Sequence, residues 1–266
     1  FFAPDGKAVF NVAIRTALID NRTKKGEMGI GSGIVIDSGI GKEFKECELK
    51  ADFITKETKD FGLVETILWK SGKGYFLLAE HLKRLRSSAE YFNFRFDKKT
   101  ISLSLKRAEK KFEKESDYRV RLVMDSRGRT EISFLKLTAC TERARLRFSD
   151  KKVLSGDIFL YHKTTNRDLY DKEHKKWAGK GYADVIFTNE KNQVTEGAIS
   201  NIIIKKKGNY YTPPVECGLL DGVFRGSLFS GRKITIKEKV LYKDDVRKAD
   251  EIYIVNSVRG MRKAVL

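Results

Sequence analysis

The chain has 266 residues, 41% of them hydrophobic, which is enough for one large core or two modest ones. No apolar run approaches the roughly 18 residues that a membrane-crossing helix needs. The formal charge of +18, from 54 Lys+Arg against 36 Asp+Glu, raises nucleic acid as a partner. Its basic residues, however, are spread along the whole chain and mixed with acids, as from Lys106 to Glu115, with no nucleic-acid motif beside them, so the expectation is no nucleic acid and no membrane.

A lysine-biased surface of this kind suits anionic small molecules without demanding them. The three cysteines, Cys47, Cys140 and Cys217, are odd in number and far apart, which points to a reducing cytoplasm. There is no initiator Met and no signal-type segment, and the opening Phe1-Phe2-Ala3-Pro4-Asp5-Gly6 reads like the interior of something longer.

In chain order, residues 8–19 predict a strand, 29–38 a glycine-rich turn and strand, and 43–53 a charged helix. A polar linker at 56–60 precedes a strand over 61–68 and a hairpin turn at Ser71-Gly72-Lys73-Gly74. Leu78, Leu82, Leu85 and Ala89 share one face of an amphipathic helix. A second helix follows over 101–115, then a hairpin of 119–124 and 130–138. The remainder reads as strand 152–159, helix 166–179, strands 183–188, 199–205 and 210–212, helix 222–229, strand 234–240, helix 243–249 and strand 251–256. This is an α+β pattern with two sub-domains joined near 141–149.

Two short segments carry chemistry. Lys163 follows the apolar run Ile158-Phe159-Leu160-Tyr161, and Glu196 closes the run Asp184 to Thr188 through an Asn-Glu-Lys-Asn turn, with Asn201 just beyond. Each is thereby expected at the end of a strand. A partly desolvated lysine loses proton affinity and can form a Schiff base, and a buried carboxylate can keep a pyridinium nitrogen protonated. That pair is the minimum requirement of a pyridoxal phosphate site.

With four further signatures, from Phe61 to Leu266 the chain resembles the fold-type IV pyridoxal phosphate enzymes. These signatures are Glu80-His81-Leu82-Lys83-Arg84-Leu85, Tyr211-Thr212-Pro213-Pro214, Gly222-Val223-Phe224-Arg225 and Val255-Asn256-Ser257. The group contains branched-chain and D-amino acid aminotransferases and 4-amino-4-deoxychorismate lyase. The resemblance implies Lys163 as the Schiff-base lysine, Glu196 as partner of the pyridine nitrogen, and Arg84 on the cofactor phosphate. Val223 and Phe224 would offer helix N–H groups to that phosphate, and Ser257 a hydroxyl, with turn capping as the alternative for Ser257. On the same resemblance Tyr170 would stand near the ring oxygen, with a core tyrosine as the alternative, and Thr66 would line the cofactor pocket as a catalytic residue beside Lys163 and Glu196. Arg127, Arg129 and Arg259 are either substrate-carboxylate ligands or surface arginines. His162 and His174 read as structural.

A second resemblance covers the first 53 residues. Val12-Ala13-Ile14-Arg15-Thr16, the stretch Gly31 to Ser38 and the stretch Glu43 to Lys50 look like the last part of the chorismate-binding enzymes. Matching positions are Arg15, Gly31 and Gly33 for carboxylates, Glu43 and Glu46 for magnesium, and Lys50 near the substrate. Glu43 and Glu46 would lie on one helical face. Most of that fold is missing, so no functional metal is expected and the chain looks like the C-terminal part of a synthase–lyase fusion.

The division expected is 1–55 remnant, 56–142 small sub-domain and 143–266 large cofactor-binding sub-domain. The two resemblances together imply a pyridoxal 5'-phosphate-dependent lyase acting on aminodeoxychorismate, as a homodimer. A D- or branched-chain amino acid aminotransferase and a non-enzymatic basic binding protein are the alternatives.

Overall fold

The computed structural model describes residues 4, 6–7, 16–32, 35–55, 60–138, 143–231 and 234–266, with backbone alone at 49–50 and 52–55. The chain divides into two compact units, Phe1–Lys59 and Asp60–Leu266. In the first, β1 (Ala17–Asp20) pairs antiparallel with β2 (Lys25–Met28), and α1 spans Ile40–Thr55. The strand expected over 29–38 falls earlier, at β2. Gly29 and Gly31 have no side chain to pack on a sheet, and 35–38 is a turn in which Ser38 N donates to Val35 O at 2.9 Å. Glu43 and Glu46 do share α1. Arg15, Gly33 and Cys140 lie outside the described residues, as does the side chain of Lys50.

The second unit holds two sheets. The smaller has the order β4-β3-β5-β6, with β3 (Leu63–Lys70), β4 (Gly74–Tyr75), β5 (Tyr118–Met124) and β6 (Thr130–Lys136) all antiparallel. Strict alternation along β5 sends Tyr118, Val120, Leu122 and Met124 to one face, where they are buried. That face packs with Leu82, Leu85 and Ala89 of α2 (Leu78–Tyr91) and Ile101 and Leu105 of α3 (Lys98–Glu109). Asp97 caps α3 by accepting from Lys99 N at 2.9 Å. The opposite face carries Thr66, Arg119 and Arg121.

The larger sheet has the order β12-β11-β10-β13-β14-β7-β8-β9. Its strands are β7 (Ala144–Val153), β8 (Asp184–Asn189), β9 (Val194–Gly197), β10 (Asn201–Lys206), β11 (Asn209–Thr212), β12 (Ile236–Glu238), β13 (Glu251–Asn256) and β14 (Gly260–Val265). Pairs β11/β12, β14/β7 and β7/β8 are parallel and the rest antiparallel. All of β8 is buried, its apolar centre Val185-Ile186-Phe187 in the core and Asp184, Thr188 and Asn189 as buried polar ends. Helices α4 (Asp168–Ala178), α5 (Val223–Phe229) and α6 (Lys243–Arg247) complete the unit.

The strand expected at 152–159 is displaced. Ala144–Val153 forms β7, and Ile158–Leu160 is a 3-10 turn capped by Asp157, whose carboxylate accepts from Phe159 N at 2.9 Å. Asp157 and Gly156 favour a turn, so the apolar Ile158-Phe159-Leu160 run packs as a turn and not as a strand.

Candidate active site

Lys163 therefore reaches its place by a different route from the strand end that its sequence suggests. After the 3-10 turn its segment docks beside the start of β3, forming an isolated antiparallel bridge between Thr164 and Leu63. Val64 N donates to Lys163 O at 2.8 Å, Thr165 N to Gly62 O at 2.9 Å, and Gly62 N to Thr165 Oγ1 at 2.9 Å. Gly62 is required there, because a Cβ would sit 2.7 Å from Val123 Cγ1 and 3.2 Å from Met124 O. Aromatic packing holds the same join. Phe159 stacks on Phe92 at 5.7 Å and meets Phe61 edge-on at 5.2 Å, while His162 lies 4.8 Å from Phe92 and bonds Ser88 Oγ at 2.9 Å. His162 is thus structural, and burial lowers its proton affinity.

The lysine opens onto a cavity of about 510 Å³ that also reaches Thr66, Arg84, Glu196, Gly222, Val223, Phe224, Ser257 and Arg259. Burial, then the positive charges of Arg167 and Arg84, bring the Lys163 amine down from 10.5 to about 7. Glu196 lies in β9, not after a strand end. Burial raises its carboxyl from 4.5 to about 8, against the opposing effects of the Leu220 backbone N–H, Arg167 and Lys163. Asn201 Nδ2 donates to Glu196 Oε2 at 3.1 Å and to Leu220 O at 2.9 Å. Behind them, buried Asp184 accepts from Ile199 N at 3.3 Å and from Ser200 Oγ, fixing the turn between β9 and β10.

Arg84 is held by a residue that sequence reasoning passed over. Glu65 is 1% exposed and accepts from Arg84 Nε at 2.9 Å, from Arg84 Nη2 at 2.7 Å, and contacts His81 Nδ1 at 2.6 Å. Burial alone would raise the Glu65 carboxyl, but Arg84 and His81 together hold it at about 2. Arg84 Nη1 donates to Asp221 O at 3.1 Å, leaving two guanidinium N–H groups for a ligand. His81, 1% exposed, also lines the cavity, and its Nε2 has no partner among the described residues.

Next to Arg84, Gly222 opens α5, whose first N–H groups have no intrahelical acceptor. A Cβ on Gly222 would overlap Asn201 Oδ1, so the loop carrying Val223 and Phe224 can approach only as glycine. Arg225 anchors that helix to Asp221 at 3.0 Å, to Pro213 O at 3.0 Å and to Glu238. Buried Ser257 completes this corner.

Tyr170 lines a second cavity, of about 330 Å³, which shares Lys163, Arg167, Glu196 and Leu220 with the first. Its ring packs on Phe187 at 4.5 Å, and its buried hydroxyl has no partner among the described residues. Arg259 lines the main cavity and donates to Thr138 O at 2.6 Å. Arg127 and Arg129 line neither cavity. They cap the β5–β6 turn, their N–H groups bonding Asp125 Oδ1 at 3.0 and 2.8 Å, with Arg129 74% exposed. They sit at the five-residue tip of the hairpin, bonded to Asp125 and away from the lining of both cavities. Their place in the cavity is taken by Arg119, Arg121, Arg167 and Arg262.

The cavity lining contains nine lysines and arginines, seven of them arginine, against the two carboxylates Asp171 and Glu196. An amine that sheds its proton near neutrality, a carboxyl that keeps one, and a cationic corner of arginine and helix N–H groups form a donor set suited to pyridoxal phosphate.

Comparison with known proteins agrees. The family described as "Amino-transferase class IV" matches residues 62–265, and "chorismate binding enzyme" matches residues 1–56. A Schizosaccharomyces pombe protein named "Putative aminodeoxychorismate lyase" is 26% identical over 219 residues, covering 78% of this chain and 90% of the relative. A Thermotoga maritima protein named "Probable branched-chain-amino-acid aminotransferase" is 26% identical over 246 residues, covering 83% of each. Among solved structures, a "Putative amino-acid aminotransferase" from Mesorhizobium loti superposes with a TM-score of 0.73 at 29% identity, covering 78% of this chain and 100% of that one. The match over 62–265 spans most of the chain: it belongs to the class IV aminotransferase family.

Proposed function

We propose that the protein is a pyridoxal phosphate-dependent 4-amino-4-deoxychorismate lyase, releasing 4-aminobenzoate and pyruvate for folate synthesis. The observation that carries this reading is the strongly cationic cavity around Lys163 and Glu196, which suits an anionic cofactor together with an anionic substrate. A chorismate-binding segment on the same chain supports the choice of substrate. The reading includes a cytoplasmic, homodimeric enzyme whose small and large sub-domains meet near residue 142.

Bound cofactor would supply an electron sink for the carbanion formed when the substrate loses a proton. Arg84, the α5 N–H groups and Ser257 would hold its phosphate. Lys163, whose proton affinity burial lowers toward neutrality, would offer a free lone pair for holding the cofactor and for taking the proton from the amine-bearing carbon of the substrate. Burial favours the protonated form of Glu196 at neutral pH, so its carboxyl would hold a proton at the pyridine nitrogen of a bound cofactor. Asn201 fixes Oε2 while this happens. Thr66, on the cavity face of β3, borders the reacting group.

The test is product analysis. Cofactor-loaded protein given aminodeoxychorismate should release 4-aminobenzoate and pyruvate in equal amounts without a keto-acid acceptor. Amino-group transfer from valine, leucine or a D-amino acid to 2-oxoglutarate, with no lyase products, would favour the aminotransferase reading that the Thermotoga relative suggests.

A further inference from the structure

Arg119 and Arg121 differ from the other cavity arginines. Arg84 is held by Glu65, Arg167 by Asp171 at 3.1 Å, Arg225 by Asp221 and Glu238, and Arg259 by Thr138 O. The side chains of Arg119 and Arg121 have neither a hydrogen bond nor an ion pair among the described residues. They stand two positions apart on β5, on the face turned away from the small-sheet core, so their Cα atoms are about 7 Å apart. Arg121 lies opposite Thr66 on β3 and Ser133 on β6, and Arg119 lies opposite Leu68 and Leu135.

The charged groups around Arg121 are Asp171 and Glu131, which favour its cationic form, and Arg167 and Arg119, which oppose it. Asp171 is already shared with Arg167. Two adjacent guanidinium groups, each able to grip a carboxylate through paired N–H donors, therefore face the cavity with no direct ion pair among the described residues, Glu131 and Asp171 acting on Arg121 only at a distance.

We propose that Arg119 and Arg121 are the substrate-specificity pair of this site and select amines bearing two carboxylates over amines bearing one. The inference rests on the cofactor-dependent reading above and deepens it. Two carboxylates several ångströms apart can take one guanidinium each. A single carboxylate engages one guanidinium and leaves the other as it stood, so it gains one charge-assisted pair where a dicarboxylate gains two. The pair is distinct from the phosphate corner, which uses Arg84 and α5.

The experiment titrates cofactor-loaded protein with benzene-1,3-dicarboxylate and, separately, benzoate, following displacement of the cofactor's visible band and competition with substrate. The parent should bind the dicarboxylate more tightly. Arg121→Met and Arg119→Met should each weaken it by about 10- to 100-fold while changing benzoate less, and should raise KM for a dicarboxylate amine more than they lower kcat. Arg121→Lys should restore part of the loss, since it keeps charge without the paired donors. Cofactor content of each variant reports that the site is formed, and Arg119→Met, at a more peripheral position, carries the test if Arg121→Met does not retain cofactor. An unchanged ratio of dicarboxylate to benzoate affinity in these variants would overturn the proposal. A dicarboxylate preference that disappears in the variants, in a protein with no lyase turnover, would sink the assigned reaction while leaving the arginine pair standing.

Discussion

Lys163 and Glu196 are each held in the protonation state that solvent would not favour, and that costs folding free energy. The folded Lys163 amine titrates at about 7 against 10.5 ordinarily. Its cost is complete below about pH 7 and fades as pH rises toward 10.5. Lys163→Met should therefore raise the melting temperature of cofactor-free protein at pH 7, with a smaller gain at pH 9.5. An unchanged or lower melting temperature at both would contradict the burial argument. Glu65 behaves in the opposite sense. Held at about 2 against 4.5, it contributes about 3 kcal/mol that is present above pH 4.5 and is lost as pH falls through 2. Glu65→Gln should lose stability of that order at neutral pH in a denaturant melt, and should release cofactor faster on dialysis because Arg84 is no longer oriented. Equal retention by parent and variant would separate Glu65 from the phosphate corner.

At the scale of elements, the site depends on the join between β3 and the lysine segment. Gly62→Ala would push a methyl into Val123 Cγ1 and Met124 O, so the Thr164–Leu63 bridge would have to open. Overpacking of this kind costs about 1–3 kcal/mol. Turnover at saturating cofactor should fall with it, and a variant matching the parent in both melt and kcat would remove the join from the account.

The elements also show what could be read from the chain beforehand. Period-3.6 and period-2 patterns located α2 and β5 because one face of each is apolar, while β3 and β10, buried on both faces along part of their length, show as apolar runs. Strand β9 was missed, since Val194-Thr195-Glu196-Gly197 is too short to display a period, and so was β14, whose Gly260-Met261-Arg262 start looks polar. The ordered signatures single out Lys163, Glu196 and Arg84, and all three line one cavity. Glu65 left only one trace, a carboxylate at an inward position between Leu63 and Ile67. The arginine pair left another, charges alternating with Val120 and Leu122. Neither trace names a partner, because the contacts that give these residues meaning come from α2 and from strands distant in sequence.

For the whole molecule, both cavities are lined only by residues of the second unit. Removing residues 1–59 should therefore leave cofactor content and turnover close to those of the parent. The first unit carries exposed Leu18, Ile19, Ile36 and Phe44, so the shortened protein should also be the less aggregation-prone of the two. A large loss of both melting temperature and turnover would instead make the first unit part of the working fold. The most direct measurement is covalent mapping: load the protein with pyridoxal phosphate, reduce with borohydride, digest, and locate the modified peptide by mass spectrometry. The account predicts a single stoichiometric label on Lys163, lost in Lys163→Ala together with the visible absorbance band. Label on another lysine, or none on Lys163 in protein that turns over substrate, would contradict it.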